Sequence, residues 1–210
     1  MDQVIYLHDG QNLFDPATSY AGDWNLLPVV SDLSAAGREV MLVGVANTGA
    51  FRRFEYSPWR DPVHGGGDGD RYLDFMLETI KPLVDRSFPT PTEPEHTLVA
   101  GSSLGGLVTI YALLRNSGVF GGAAAFSPSA WFAGEVLAEF VAGRPAGPGR
   151  LYLDVGTGEE PGLVASVRRL RDALEGAGWA SPAFRYHEAP EDTHHETHWG
   201  RRFRAWVLDG

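Results

Sequence analysis

Short apolar segments alternate with longer amphipathic segments along most of the chain. The apolar runs predict buried strands over residues 4–7, 40–46, 97–100, 123–126, 151–156 and 183–187. Between them, apolar residues recur at helical spacing over residues 24–36, 72–84, 104–114, 131–140, 163–174 and 196–208, which is the pattern of amphipathic helices. Strands that alternate with helices predict an α/β fold, in which a mostly parallel sheet carries helices on both faces. We expect residues 1–210 to form one domain.

A serine flanked by glycines stands where the strand 97–100 meets the next helix. Gly101-Ser102-Ser103-Leu104-Gly105 has the form G-x-S-x-G. A serine on so tight a turn has strained dihedral angles, and small residues two positions away let the strand and the helix approach each other. Its hydroxyl would then be exposed at a helix N-terminus, where backbone N–H groups stabilise negative charge. We predict Ser103 as a nucleophile; the alternative is a glycine-rich loop with a capping serine.

Composition narrows the possible chemistry but not the substrate. The chain has 210 residues, no cysteine and a formal net charge of −10 at pH 7. The acidic balance disfavours a surface for nucleic acid or an anionic membrane, and the lack of cysteine excludes disulfides and thiolate chemistry. No apolar run reaches the roughly 18 residues of a membrane span, and no signal peptide is visible. We expect a cytoplasmic protein without a cofactor.

An activated serine needs a histidine base, and the base needs an acid that orients it. In an α/β-hydrolase arrangement these follow the chain order Ser, acid, His, each on a loop after a strand. Glu159 follows the strand 151–156, and His194 follows the strand 183–187. The alternatives for the acid are Asp154 and Glu160, and those for the base are His195 and His198.

Five segments together resemble one known family. They are Tyr6-Leu-His-Asp-Gly-Gln-Asn-Leu-Phe-Asp15, Arg53-Phe-Glu-Tyr-Ser-Pro58, Gly101-Ser-Ser-Leu-Gly-Gly106, Ser127-Pro-Ser-Ala-Trp131 and His194-x-Glu196-x-x-Trp199. In this order, over nearly the whole chain, they are similar to the putative-esterase family of α/β-hydrolases, which includes esterase D, siderophore and feruloyl esterases and the mycolyltransferases. The resemblance implies Ser103 as nucleophile, His194 as base and Glu159 as acid.

The surroundings of these three residues carry further expectations. The backbone N–H of Leu104, which follows the nucleophile, is expected in the oxyanion hole, and the resemblance implies the N–H of Gln11 as the second donor. Asn12, Arg53 and Trp131 are candidate substrate contacts, with the long connection 47–70 as a pocket wall. Arg53 could instead pair with Glu55, and we interpret His8 as structural.

The function that these patterns favour is a serine carboxylic-ester hydrolase that forms an acyl-enzyme with a small-molecule ester. An acyltransferase of the same mechanism and an inactive binding protein on the same fold are the alternatives. A metallohydrolase is disfavoured: His194 and His198 are four residues apart, but the zincin motif needs glutamate directly after the first histidine, and Glu196 is two residues after it.

The beginning of the chain departs from that family, whose members ordinarily have one or two strands upstream of the segment matching Tyr6 to Asp9. Here five residues precede Tyr6. The strand 40–46, from Val40 to Ala46, is therefore expected at the edge of the sheet. An apolar edge invites pairing, so we expect an N-terminal truncation, a homodimer through this edge, or a loop that covers it.

Overall fold

The computed structural model describes residues 1–209 and contains two sheets. The strands are β1 (Gln3–His8), β2 (Val40–Val45), β3 (Arg60–Asp61), β4 (Gly65–Gly66), β5 (Thr97–Ser102), β6 (Gly122–Phe126), β7 (Arg150–Gly156) and β8 (Phe184–Ala189). Six of them form one sheet in the order β2-β1-β5-β6-β7-β8, in which every neighbouring pair is parallel. The other two, β3 and β4, form an antiparallel hairpin. The predicted α/β class with a mostly parallel sheet is confirmed.

In the part of the chain that the structure describes, eight α-helices connect and cover these strands. They are α1 (Leu27–Ala35), α2 (Arg52–Glu55), α3 (Gly69–Phe75), α4 (Lys81–Ser87), α5 (Leu104–Arg115), α6 (Phe132–Ala142), α7 (Pro161–Gly176) and α8 (Glu196–Asp209). A π-helical turn, Met76–Ile80, joins α3 to α4, and 3-10 turns lie at Gly10–Asn12, Gly49–Phe51 and Pro94–His96. Within the described residues 1–209, no helix combines the length and the apolar character that crossing a membrane requires.

The two faces of the sheet pack into two separate apolar clusters. On β1, Val4 and Tyr6 belong to one cluster and Ile5 and Leu7 to the other, because successive side chains of a strand point to opposite faces. Helices α1 and α8 cover one face, and helices from α3 to α7 cover the other. A strand buried on both faces reads as a continuous apolar run, which is why the sheet was visible in the sequence.

The connection 47–70 is more ordered than the long loop that the sequence predicts. It contains α2 and the β3–β4 hairpin. A Cβ atom on Gly69 would lie 2.5 Å from the backbone nitrogen of Pro58, so the glycine-rich segment permits close backbone contact. Isolated sequence patterns missed these elements because they are short and depend on such contacts.

The predicted edge position of the strand 40–46 is confirmed. Within residues 1–209, β2 pairs with β1 and with no other strand. All parallel strands of the central sheet run the same way, so the carboxyl ends of β1, β5, β7 and β8 meet along one side. Loops that leave strands at that side are where an open α/β sheet places its ligand groups.

Candidate active site

Ser103 occupies a sharp turn between β5 and α5. Its backbone has φ 57° and ψ −124°, a strained conformation for a residue with a side chain. A Cβ atom on Gly101 would lie 2.8 Å from the carbonyl carbon of Gly105, so these two glycines let strand and helix approach as the motif predicts. The turn leaves the Ser103 side chain partly exposed at the N-terminus of α5.

His194 and Glu159 extend from Ser103 in a continuous chain of hydrogen bonds. The Nε2 atom of His194 lies 3.1 Å from Ser103 Oγ, and its Nδ1 atom lies 2.6 Å from Glu159 Oε2. An ionised carboxylate can only accept, so Nδ1 carries the ring proton and Nε2 is free to accept the serine proton. The structure therefore brings together the three residues that the sequence assigned as nucleophile, base and acid.

Glu159 is held by more than its histidine. Its Oε1 atom accepts hydrogen bonds from the Ser127 hydroxyl and from the backbone N–H of Gly156, the latter at 2.9 Å. Burial raises the pKa of this carboxyl, but the hydrogen bonds from His194, Ser127 and Gly156 outweigh it and hold the pKa below its ordinary value. Glu159 is therefore ionised at neutral pH, as an orienting acid must be.

The alternative candidates for the acid and the base are either exposed or bonded to other partners. Glu160 is exposed at the start of α7. Asp154 is fully buried within β7, where its carboxylate accepts from the Tyr152 hydroxyl and the Ser127 backbone N–H. The ring of His198 accepts a hydrogen bond from the Thr193 N–H at 2.8 Å, and His195 pairs with the Thr197 hydroxyl.

Metal ligation finds no support in this geometry. Among residues 1–209, the histidine and carboxylate side chains nowhere form a group of three that could hold a metal ion. His194 directs its two ring nitrogens at Ser103 and Glu159 rather than toward His198.

A layer of side chains behind the acid was not predicted. Ser127, at the carboxyl end of β6, accepts hydrogen bonds at its Oγ from Trp199 Nε1 at 3.2 Å and from Arg202 Nη2 at 2.9 Å. The Trp199 ring also meets the His194 ring edge-on, with centroids 4.7 Å apart. Ser127 and Trp199 stand in segments that the resemblance quotes, but their contacts join residues from distant parts of the chain.

The turn that contains Gln11 packs against the sharp turn of residues 101–105 around Ser103, which we call the elbow. A Cβ atom on Gly105 would lie 3.3 Å from Asp9 Oδ2 and 3.3 Å from His8 Cβ. Asp9 is in turn fixed by Arg52, whose Nε and Nη2 atoms each donate to the carboxylate at 2.7 Å. The 3-10 turn Gly10–Asn12 therefore stands directly beside the N-terminus of α5.

This arrangement corrects one expectation about the connection 47–70. Arg53 was expected to hold this segment by pairing with Glu55, but the arginine that anchors it is Arg52, paired with Asp9. Contact of Arg53 with substrate stays a prediction. Arg53 is exposed on α2, and Glu55 accepts from the backbone N–H of Thr48 at 3.2 Å. The two arginines are adjacent, and periodicity in so short a helix could not decide which one faces inward.

Asn12 and Trp131, the other expected substrate contacts, differ in their exposure and in their partners. Asn12 is buried, and its Oδ1 atom accepts from the Tyr20 N–H at 3.1 Å, so this side chain braces the following loop. Trp131 is 39% exposed and packs edge-on against the ring of His64 from the β3–β4 hairpin. An indole this exposed can form a pocket wall, and substrate contact by Asn12 stays a prediction.

His8 is buried beneath the elbow. Its Nδ1 atom lies 2.7 Å from the Tyr72 hydroxyl, and a Cβ atom on Gly101 would lie 2.9 Å from its Cδ2 atom. Burial lowers the pKa of His8 to about 4. The ring is neutral at physiological pH and packed on all sides, which fits the structural role expected for it.

Ser129 is another residue whose place in the site sequence reasoning missed. Its Oγ atom lies 3.2 Å from Ser103 Oγ, and its backbone N–H donates to the Ser103 carbonyl at 2.9 Å. The side chain is buried, with 2% of its surface exposed. The loop after β6 is thus bonded to the elbow at both backbone and side chain.

Comparison with known proteins agrees with this architecture. The family model described as "Putative esterase" matches residues 2–209. The uncharacterized protein YbbA of Bacillus subtilis is 25% identical over 174 residues, which are 79% of this chain and 65% of that protein. The siderophore triacetylfusarinine C esterase of Aspergillus fumigatus is 32% identical over 136 residues, 61% of this chain and 44% of that protein.

Solved structures show the same fold. The enterobactin esterase FES from Shigella flexneri superposes with a TM-score of 0.79 at 22% identity, over 99% of this chain and 52% of that one. This chain covers 65% and 44% of the two curated relatives, so it spans less than two thirds of their length. Since the family model covers almost every residue, the chain belongs to the putative esterase family.

Proposed function

We propose that this protein is a serine carboxylic-ester hydrolase. The observation that carries the proposal is the chain of hydrogen bonds from Ser103 Oγ through His194 to Glu159, at 3.1 Å and 2.6 Å. A serine hydroxyl is a weak nucleophile until a base removes its proton, and the base acts best when an acid holds its tautomer. Membership of the putative esterase family supports the same reaction class.

The reaction proceeds in two halves. His194 takes the proton of Ser103 as Oγ attacks the ester carbonyl, and Glu159 stabilises the imidazolium that forms. His194 then donates this proton to the leaving alcohol, which leaves the acyl group on Ser103. In the second half His194 removes a proton from water, the hydroxide attacks the acyl carbonyl, and the carboxylic acid departs as Ser103 regains its proton.

Two backbone N–H groups would hold the oxyanion of each tetrahedral intermediate. Leu104 is the first residue of α5, and the first N–H groups of a helix have no partner within it. Gln11 lies in the 3-10 turn that packs beside this helix N-terminus through Asp9 and Gly105. One such donor is typically worth ~10²- to 10³-fold in rate. Because both are backbone groups, replacing the Gln11 side chain should cost far less than replacing Ser103.

The substrate class is a small-molecule ester, and siderophore esters are the first to test. The relatives from Aspergillus fumigatus and Shigella flexneri are named as esterases of triacetylfusarinine C and enterobactin. The partly exposed Trp131 beside the β3–β4 hairpin would form one wall of the substrate cleft. Aryl, feruloyl and acetyl esters complete the panel, since the same triad could serve any of them.

The test is covalent labelling together with turnover. We expect a fluorophosphonate probe to label the protein, and Ser103→Ala to abolish labelling and to lower ester turnover on the order of 10⁶-fold. Adding His194→Ala to Ser103→Ala should change little more, because the two residues act as one unit. Ser102→Ala, in the neighbouring strand position, is the matched control and should label normally.

The alternatives give different results. Labelling without hydrolysis of any ester, but with transfer of the acyl group from an ester to an added alcohol, would identify an acyltransferase. A folded protein that neither labels nor turns over any ester would contradict the proposal and favour a binding protein. Turnover that persists in Ser103→Ala and is lost with EDTA would point to a metal-dependent reaction instead.

A further inference from the structure

We propose that Arg202 is a positioning residue that keeps Glu159 ionised and directed at His194, acting through the hydroxyl of Ser127. Arg202 lies on α8, and its side chain is only 5% exposed. It does not contact Ser103 or His194. This inference rests on the proposed function, because it assigns Arg202 to the acid of that same triad.

The hydrogen bonds around Ser127 leave its hydroxyl one orientation. A serine hydroxyl has one proton to donate and two lone pairs that accept. Arg202 Nη2 and Trp199 Nε1 both donate to Ser127 Oγ, at 2.9 Å and 3.2 Å. The lone pairs are then occupied, so the proton points to Glu159 Oε1, the remaining partner. Arg202 thereby fixes the direction of a hydrogen bond that holds the acid.

The charges around Arg202 explain why a cation is needed here. Its guanidinium lies 3.1 Å from Asp154, 3.7 Å from Glu159 and 3.6 Å from Asp192, measured between the nearest nitrogen and carboxylate oxygen. All three carboxylates are buried. Carboxylates that share a buried site raise one another's pKa unless a cation lies among them. Arg202 is the buried cation in contact with all three.

The groups that face this cluster come from several elements. Strand β7 and the loop after it contribute Asp154, the Tyr152 hydroxyl and Glu159. The loop after β8 contributes Asp192 and His194. Helix α8 contributes the exposed Arg201, which pairs with Asp192. Burial raises the pKa of Asp154 to about 7 even with Arg202 beside it. Removing the guanidinium would raise the pKa of Asp154 further and raise that of Glu159 too, so the cluster would keep a proton to higher pH. A proton on Glu159 would weaken its hold on the imidazolium.

Four variants separate a positioning role for Arg202 from a purely structural one. Arg202→Met keeps a long side chain but removes the charge, and Arg202→Lys keeps the charge without the planar fork. Ser127→Ala keeps the cation but removes the oriented hydroxyl. Arg204→Met is the matched control, because Arg204 lies on the same helix as Arg202 and forms an exposed ion pair with Asp32 of α1.

The experiment measures kcat and KM on an aryl ester against pH, in the natural protein and in Glu159→Gln. We expect Arg202→Met to lower kcat at pH 7 on the order of 10²-fold, as a misplaced catalytic group does, with KM nearly unchanged and with activity recovering as pH rises. Arg202→Lys should retain the natural pH profile at a smaller loss. Ser127→Ala should lower kcat and shift the profile in the same direction as Arg202→Met, because its hydroxyl also helps hold the pKa of Glu159 down. In the Glu159→Gln background, Arg202→Met should cost about twofold or less.

Any of three results in folded variants would overturn the inference. They are an equal loss of kcat from Arg202→Met in the natural protein and in Glu159→Gln, an unmoved pH profile in Arg202→Met, and full activity in Ser127→Ala. Proton NMR of the His194 Nδ1–H is independent of turnover. This downfield resonance should shift or broaden in Arg202→Met and stay in place in Arg204→Met. If the natural protein hydrolyses no ester but the resonance responds in this way, the proposed function fails while the positioning role stands.

Discussion

At the scale of single residues, the Ser103 hydroxyl has two partners, the His194 imidazole and the Ser129 hydroxyl. Ser103 has one proton, and in the reactive arrangement that proton points to His194. Ser129 must then be the donor in the bond between the two hydroxyls, at 3.2 Å. Such a donor stabilises the negative charge that develops on Oγ as His194 removes the proton.

We expect Ser129→Ala to slow labelling of Ser103 by a fluorophosphonate probe about tenfold, the size of one hydrogen bond of ~1.4 kcal/mol to a developing charge. The labelling rate is measured under pseudo-first-order conditions. Ser166→Ala, another buried serine on α7, is the control and should label at the natural rate. Equal or faster labelling of Ser129→Ala would show that this hydroxyl does not assist the nucleophile.

At the scale of elements, the loops that carry the acid and the base are packed onto each other. The Gly158 N–H donates to the Asp192 carbonyl at 2.9 Å, and the Thr157 N–H donates to the Ala189 carbonyl at 2.9 Å. A Cβ atom on Gly156 would overlap that Asp192 carbonyl, and one on Gly158 would lie 2.7 Å from the Glu191 carbonyl. The glycines after β7 therefore set the distance between Glu159 and His194.

We expect Gly156→Ala to destabilise the protein by about 1–3 kcal/mol, the usual cost of overpacking, and to lower kcat because the two loops separate. Gly162→Ala on α7 is the matched control, since a Cβ atom there meets nothing within 4 Å. Urea unfolding and ester turnover are measured together. Natural stability and activity in Gly156→Ala would mean that the loops adjust without moving the triad.

At the scale of the whole molecule, the buried His8 links stability to pH. It lies at the end of β1, where α3 contributes Tyr72 and the elbow contributes Gly101. Its pKa falls from 6.5 to about 4 on folding, because burial disfavours the charged ring. Between these values the unfolded chain binds a proton that the folded protein does not. The contribution of the neutral His8 ring to the free energy of unfolding is therefore fully present above pH 6.5 and is lost as pH falls toward 4.

For this single group, the free energy of unfolding should decrease by roughly 2 kcal/mol between pH 7 and pH 5. Urea unfolding at the two pH values measures the decrease in the natural protein and in His8→Asn, which lacks the titrating ring. The variant should lose less stability over the same interval, although it is less stable at pH 7. An equal decrease in both proteins would show that His8 does not contribute to this linkage.

Much of this architecture was predictable because it depends on local pattern. Strands buried on both faces leave apolar runs, and the covering helices leave residues at helical spacing. The α2 helix and the β3–β4 hairpin were not predicted, since they are short and rest on contacts such as the Gly69 approach to Pro58. Arg52, rather than Arg53, was the inward arginine for the same reason.

The sequence by itself determined the order of strands and helices and the strained serine turn, because each of these depends on residues close together in the chain. It also offered candidates for nucleophile, acid and base, among which the family resemblance favoured Ser103, Glu159 and His194. Only the tertiary structure decided that Ser103, His194 and Glu159 lie within hydrogen-bonding distance and that Ser129, Ser127 and Arg202 stand around them. Hydrogen bonds and ion pairs depend on separations of a few ångströms, and these arise when loops from different strands pack at one side of the sheet.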